Sequence, residues 1–356
     1  MNFPLPRLRC LPSCRSWLPA WTLLLALVPA PAAPAADTVT LRLGTILPSG
    51  TPQYNALQAM VEQWRKLSDG KVKVIMYPDG RLGGESEMVK KMRIKQLNAA
   101  LLTVVGISEI DPGVTGLQLI PLAFKTWDEV DYVREKMRPL LEQKLRARGY
   151  EVLFWSDAGW VRFFTKEPAV RPAEFKRLKI FSWSGDMREA EIMKSTGYRP
   201  VSLETTDILL GLNTDLINAV PVPPLIALAG QFYGPAPHML DMNWVPIVGA
   251  AVVRSDVWNQ LPPELQQKLR EVAEATGVKT RALSRVESEE SVKAMQGRGL
   301  QVHALTPQAA AEWQQMAEAA WPSVRGQVVP ADVYDAVQRH LAEFRQGRPP
   351  GAETKP

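Results

Sequence analysis

Apolar positions along the chain switch repeatedly between a period of two and a period near 3.6. Val39 to Leu43 alternates as a strand does. After the Leu47-Pro-Ser-Gly-Thr-Pro52 loop, Leu57, Met60, Val61, Trp64 and Leu67 fall on one helical face. Ser68-Asp69-Gly70 stops that helix, Lys71 to Tyr77 alternates again, Pro78-Asp79-Gly80 turns, and Gly83-Gly84-Glu85 opens a helix through about Lys95. An apolar strand then runs from Ala99 to Val105. Val130, Val133, Met137, Leu140, Leu141 and Leu145 mark a helix, and Tyr150 to Trp155 the next strand. Strands alternating with helices of this length predict an α/β fold with parallel sheets and buried strands.

The cycle restarts near residue 162, with strands at Arg162 to Thr165 and Leu178 to Trp183, a turn over Pro172 to Arg177, and a helix from Met187 to Ser195. A second domain is expected to begin there. Pro221-Val-Pro-Pro224 reads as an extended stretch outside any sheet, because proline lacks the ladder donor. From Glu264 to about Gln296 there is no proline and one glycine, Gly277, in a run rich in helix formers. A helix of that length spans ~50 Å and could brace two domains; a surface coiled-coil segment is the plainer reading. Trp313, Met316, Ala317 and Trp321 define a further amphipathic helix, and no repeat of solenoid spacing is visible. The expected division is 37–160 plus 246–280 for one lobe, 161–245 plus 281–346 for the other, and a disordered tail over 347–356.

Composition narrows the function. The 356 residues suffice for two domains, and 46% hydrophobic with 22% charged residues is ordinary globular usage. Arg7, Arg9 and Arg15 precede the apolar run Trp17 to Val28 and a small-residue stretch through Ala36, the three zones of a secretory signal over 1–36. That run is shorter than the roughly 20 residues needed to span a bilayer, so stable membrane insertion is not expected. Without those three arginines the 42 basic residues become 39 against 37 acidic, which offers no broad attraction for nucleic acid. Cys10 and Cys14 both lie in the signal, so the exported chain, read as periplasmic, would hold no disulfide or thiol nucleophile.

No GxSxG elbow, phosphate-binding loop or HExxH helix is present, and His238, His303 and His340 stand far apart in sequence. Acidic pairs such as Glu85/Glu87 and Glu289/Glu290 read as solvated helix faces. Catalysis, metal and cofactors are therefore not expected. Aromatic residues do gather at predicted strand ends: Trp155, Trp160, Phe181, Trp183 and Trp244. Core packing explains any one of them, but open α/β sheets bind ligands beyond their carboxyl-terminal strand ends, which makes an aromatic-walled cleft the functional reading.

Three stretches carry a resemblance: Ser68-Asp-Gly-Lys-Val-Lys-Val-Ile-Met-Tyr-Pro-Asp-Gly-Arg-Leu-Gly-Gly-Glu-Ser-Glu87, Leu119-Ile-Pro-Leu-Ala-Phe124 and Ala173-Glu-Phe-Lys-Arg-Leu-Lys-Ile180. The chain resembles the extracytoplasmic solute-binding subunits of tripartite ATP-independent periplasmic (TRAP) transporters over nearly its whole exported length. The resemblance implies two α/β lobes, a cleft between them, a long helix spanning both, and delivery of a small solute to TRAP membrane permease subunits driven by an ion gradient. It also implies an arginine after Lys179-Ile180 to pair the ligand carboxylate, where this chain has Phe181. An asparagine of the family falls at Val222, within Leu212-Asn-Thr-Asp-Leu-Ile-Asn-Ala-Val-Pro-Val222, and Arg162 corresponds to a second arginine of some members.

A phenyl ring cannot give a carboxylate the charge-assisted hydrogen bonds of a guanidinium. The expected ligand-binding residues are therefore Arg162, Phe181, Trp183, Val222, Trp160, Trp244 and Thr51. The expected solute is more apolar than a simple dicarboxylate: an aromatic or branched acid whose carboxylate reaches Arg162, or a lipid-like molecule. A ligand-binding sensory module is the alternative, and a secreted enzyme a more remote one.

Overall fold

A computed structural model describes residues 38–184 and 187–347; the signal segment 1–36 and the tail beyond Gly347 lie outside the described residues. Eleven strands are described: β1 (Val39–Thr45), β2 (Val72–Tyr77), β3 (Ala99–Thr103), β4 (Tyr150–Trp160), β5 (Arg162–Thr165), β6 (Lys179–Trp183), β7 (Arg199–Leu203), β8 (Ala219–Val222), β9 (His238–Asp241), β10 (Pro246–Arg254) and β11 (Gln301–Ala304). They form two sheets, ordered β2-β1-β3-β10-β4 and β11-β9-β5-β8-β6-β7. The fold is α/β, but both sheets are mixed, not wholly parallel. β10 runs antiparallel to β3 and β4, and β5 runs antiparallel to β8 and β9.

Alternation along β10 explains why helices cover both faces of the first sheet. Val248, Ala250 and Val252 join the core that includes the helix Trp127–Ala147, while Ala251 and Val253 face the core under the helix Pro52–Leu67. In the second sheet, Phe164, Phe181 and Val220 face one core, and Phe163, Ile180 and Ala219 the other. The chain crosses between the sheets at Val161 and again over 242–245. These crossings are stitched together by Val161 N to Val245 O (2.9 Å) and Trp244 N to Val161 O (3.1 Å).

The helix Pro263–Gln296 is continuous for 34 residues and packs on β4, on Pro52–Leu67 and on Pro224–Ala229, so it does reach both sheets. Its buried face is a stripe of small residues, Ala273, Gly277, Thr280, Ser284 and Ser288, which lets its backbone come close to β4. Arg281 Nη1 and Ser284 Oγ donate to the carbonyls of Trp155 and Asp157, each at 2.6 Å. The last helix, Ala331–Gln346, which sequence order groups with the second sheet, instead packs beside Trp127–Ala147, where Arg345 Nε donates to Glu129 at 2.9 Å.

The proline-rich run departs from expectation. Ala219–Val222 is strand β8 inside the second sheet, with Pro221 opposite Phe163 of β5. The ladder tolerates it because β8 pairs with β6 at one position, Ile180 with Ala219, and the strands then diverge. Beyond Ala219 there is no β6 ladder for a proline to interrupt.

Candidate functional site

Where β8 and β6 diverge, a cavity of about 270 Å³ opens between the sheets. Leu101, Leu102, Ile247 and Val161 contribute from the first sheet and its crossing; Phe181, Trp183, Pro221 and Val222 contribute from the second. Ile226 of Pro224–Ala229, together with Thr280 and Ser284 of the long helix, completes the wall. A smaller cavity of about 100 Å³ adjoins it across Trp244, Val245 and Pro221. It is walled by Phe163, Phe175 and Trp313, whose ring centroids lie 5.0 to 5.7 Å apart.

Five of the seven expected residues line the larger cavity: Thr51, Phe181, Trp183, Val222 and Trp244. Two do not. Val161 faces the cavity, and its strand neighbours Trp160 and Arg162 are directed elsewhere, as a period of two requires. Trp160 is buried against Trp127, with centroids 4.8 Å apart. The Arg162 guanidinium pairs with Asp241, with Glu289 at 3.5 Å, and burial holds its pKa below the usual arginine value. A carboxylate in the cavity is not offered that cation.

Sequence reasoning took Glu85 for part of a solvated helix face, which its burial overturns, and passed over Asp157 and Gln53; all three line the cavity. Glu85 is buried at the start of the helix Glu85–Arg93, accepting from Thr103 N and Oγ1 (both 2.7 Å) and from Gly106 N (3.0 Å). Burial nonetheless pushes its pKa up. Asp157, in β4, is also raised by burial, against the attraction of Arg285, whose Nη2 lies 2.8 Å from its Oδ2. Arg285 bridges onward to Asp131 at 2.7 and 2.8 Å and lies 4.6 Å over the Trp127 ring. Burial raises Asp131 too, but there the guanidinium wins and the carboxyl sits below its ordinary value. Gln53 contributes from the first turn of Pro52–Leu67, donating its amide to Glu287. The available cue was a carboxylate, Asp157, next to Ser156 near the carboxyl-terminal end of a mainly apolar strand.

Among the described residues lining this cavity there is no Lys, Arg or His, and the carboxyl-bearing residues are Glu85, Asp157 and Glu189. Nor do the described residues contain a group of three or more His, Cys, Asp or Glu that could hold a metal, or a helix long and apolar enough to cross a membrane.

The profile described as bacterial extracellular solute-binding protein, family 7, matches residues 43–327. The C4-dicarboxylate-binding periplasmic protein DctP of Rhodobacter capsulatus is 24% identical over 79% of this chain and 85% of its own length. The 2,3-diketo-L-gulonate-binding periplasmic protein YiaO of Escherichia coli is 23% identical over 74% of this chain and 80% of its own. In fold, the chain is similar to a TRAP periplasmic solute-binding protein from Xanthobacter autotrophicus with bound β-D-galacturonate (TM-score 0.77, 18% identity, 85% of this chain and 99% of the other). One from Sulfurospirillum deleyianum with bound succinate gives a TM-score of 0.76 at 19% identity with the same coverage.

Proposed function

Because the chain belongs to family 7 of the bacterial extracellular solute-binding proteins, the TRAP periplasmic solute-binding proteins, we propose that it captures a small, largely apolar solute in the cavity between its sheets. It acts outside the inner membrane, exported by the segment 1–36, and hands the solute to TRAP permease subunits driven by an ion gradient. It is a binding protein and not an enzyme. The solutes named for its relatives, C4-dicarboxylates, diketogulonate, galacturonate and succinate, are all carboxylates.

One observation carries the departure from them: the described wall holds Phe181, Trp183 and Val222 and no cation. A carboxylate stripped of water there, without a countercharge, loses several kcal/mol. Aromatic and aliphatic surface contributes about 25 cal/mol for each Å² of apolar solute it covers.

The test is calorimetric titration of the exported chain with succinate and D-galacturonate, together with mass spectrometry of whatever organic extraction releases from protein purified from the periplasm. Neither acid should saturate the protein, and the released molecule should be mainly apolar. Micromolar succinate binding would overturn the reading. Delivery is checked by reconstituting the permease subunits in vesicles and asking whether uptake of the extracted solute requires this protein.

A further inference from the structure

Most polar side chains of the cavity wall are already engaged. Thr51 Oγ1 donates to Pro48 O (2.9 Å), Thr103 Oγ1 to Glu85 (2.7 Å), Thr280 Oγ1 to Gly277 O (3.0 Å) and Ser284 Oγ to Asp157 O (2.6 Å). Gln53 Nε2 donates to Glu287, and Ser182 Oγ lies 3.2 Å from Ser202 Oγ. Gln53 Oε1 and Asp157 Oδ1 are sealed inside the wall and have no surface to offer a solute.

Gln118 is different. The residue is 3% exposed and lines the cavity just past the turn Pro112–Leu117, where its backbone N–H donates to Thr115 O at 3.1 Å. Its Oε1 accepts from Val248 N at 3.1 Å, which only the oxygen end of the amide can do, so the nitrogen end points the other way. Among the described residues Nε2 has no partner, yet it is not one of the buried atoms sealed off without one. The little surface that Gln118 keeps therefore includes its two N–H donors. Ser156 stands opposite Gly249, the residue of β10 after Val248, and its equally unpartnered and unsealed Oγ would lie 3.3 Å from a Cβ at Gly249. The indole nitrogens of Trp183 and Trp244, in the same wall, are also unpaired and unsealed, and they can only donate. Thr45, whose Oγ1 accepts from Leu47 N at 3.1 Å, and the exposed Thr205 add hydroxyls that serve either way.

The open groups are thus donors, or hydroxyls that can donate, and none is charged. The carboxyls are occupied: Glu85 by Thr103 and Gly106, Asp157 by Arg285, and Glu287, behind the wall, by Gln53. Burial pushes the pKa of all three up, and Glu189 has a partner of its own. The cations nearest Asp157 do not line the cavity: Arg285 and Arg134 are held by Asp131, and Arg281 by the Trp155 carbonyl. A solute carboxylate would add negative charge beside Glu85, Asp157 and Glu189 with no cation to face. An ammonium would leave the amide and indole N–H groups without acceptors.

We infer that the cavity selects an uncharged apolar solute carrying an acceptor oxygen, of the ketone, ester or ether class, and that Gln118 reads that oxygen through Nε2. This rests on the solute-capture reading above and adds its polar specificity. Apolar surface around Phe181 and Trp183 supplies affinity, and Gln118, held at its backbone and at Oε1, orients the oxygen-bearing end.

The experiment is calorimetric titration of the exported, ligand-stripped chain with four probes of one skeleton: 4-phenylbutan-2-one, 3-phenylpropanoate, 4-phenylbutan-2-amine and butylbenzene. Of the three polar probes the ketone should bind most tightly and the carboxylate most weakly. Gln118→Met removes the donor and should weaken the ketone about threefold to tenfold relative to butylbenzene, the worth of one neutral hydrogen bond. Gln118→Glu keeps an acceptor for Val248 N but replaces the solute-facing donor with an acceptor, so the ketone should weaken again while the amine gains. A side chain that merely supported the wall would shift all four probes together.

Tighter binding of the carboxylate or the amine than of the ketone by the unsubstituted chain overturns the inference, as do folded Gln118 variants that shift ketone, amine and hydrocarbon equally; each leaves solute capture standing. If none of the four saturates a chain that circular dichroism shows folded, the apolar-cavity reading itself fails.

Discussion

On the proposed reading of the cavity as the solute site, the side chain at position 181 sets what charge it accepts. Phe181 is 7% exposed, packs in the core with Val220 and Val222, and also lines the cavity beside Trp183. Phe181→Arg would put a guanidinium where Asp157 is already paired with Arg285 and Glu85 is saturated by three donors. Stability should fall by about 1–3 kcal/mol, the usual penalty for a poorly paired buried charge. Affinity for the apolar solute should fall more than tenfold, while succinate, which brings the missing countercharge, should gain measurable binding. Calorimetric titration reads both; unchanged apolar affinity would mean that the bound solute does not touch this position. The identity of residue 181 was legible in the sequence. The fate of Arg162 was not, because its partners Asp241 and Glu289 lie 79 and 127 residues away, and nothing in a linear pattern announces such a pairing.

The long helix shows how an element's role can be written in one residue. Gly277 is its single glycine, and a Cβ there would lie 2.8 Å from Phe154 Cβ and 2.9 Å from Trp155 O. Alanine improves helix propensity by about 1 kcal/mol, but overpacking against a strand backbone that cannot yield costs about 1–3 kcal/mol. Gly277→Ala should therefore destabilise the chain by up to about 2 kcal/mol, read as a lower urea midpoint; a higher midpoint would show that helix and strand are not so closely packed. Length and propensity announced this helix. Pro246–Arg254 was missed, because it is an unbroken apolar run of the kind a doubly covered strand requires, and alternation alone passes such a run by. Ala219–Val222 was hidden, since the rule against proline in sheets assumes partners on both sides and this strand keeps a full ladder on one side alone.

Across the whole molecule, the cavity lies where two sheets, two chain crossings and the long helix meet, so any solute in it touches parts of the fold that otherwise share little surface. A ligand that bridges such walls binds the closed arrangement better than an open one and shifts the population by that difference in affinity. It must also raise global stability, since the unfolded chain has no cavity to offer. At a hundredfold excess over Kd the linkage contributes about 2.7 kcal/mol. With an unfolding entropy near 2.1 cal/mol/K per residue, that corresponds to about 4 °C for a chain of this size. Protein stripped by organic extraction and refolded should accordingly melt several degrees below protein taken directly from the periplasm. Adding back the extracted solute should restore the midpoint and, by closing the cavity, reduce the radius of gyration seen by small-angle scattering. Identical midpoints before and after stripping would mean that nothing had occupied the cavity during export and purification, and the apolar lining would then have to be explained by packing alone.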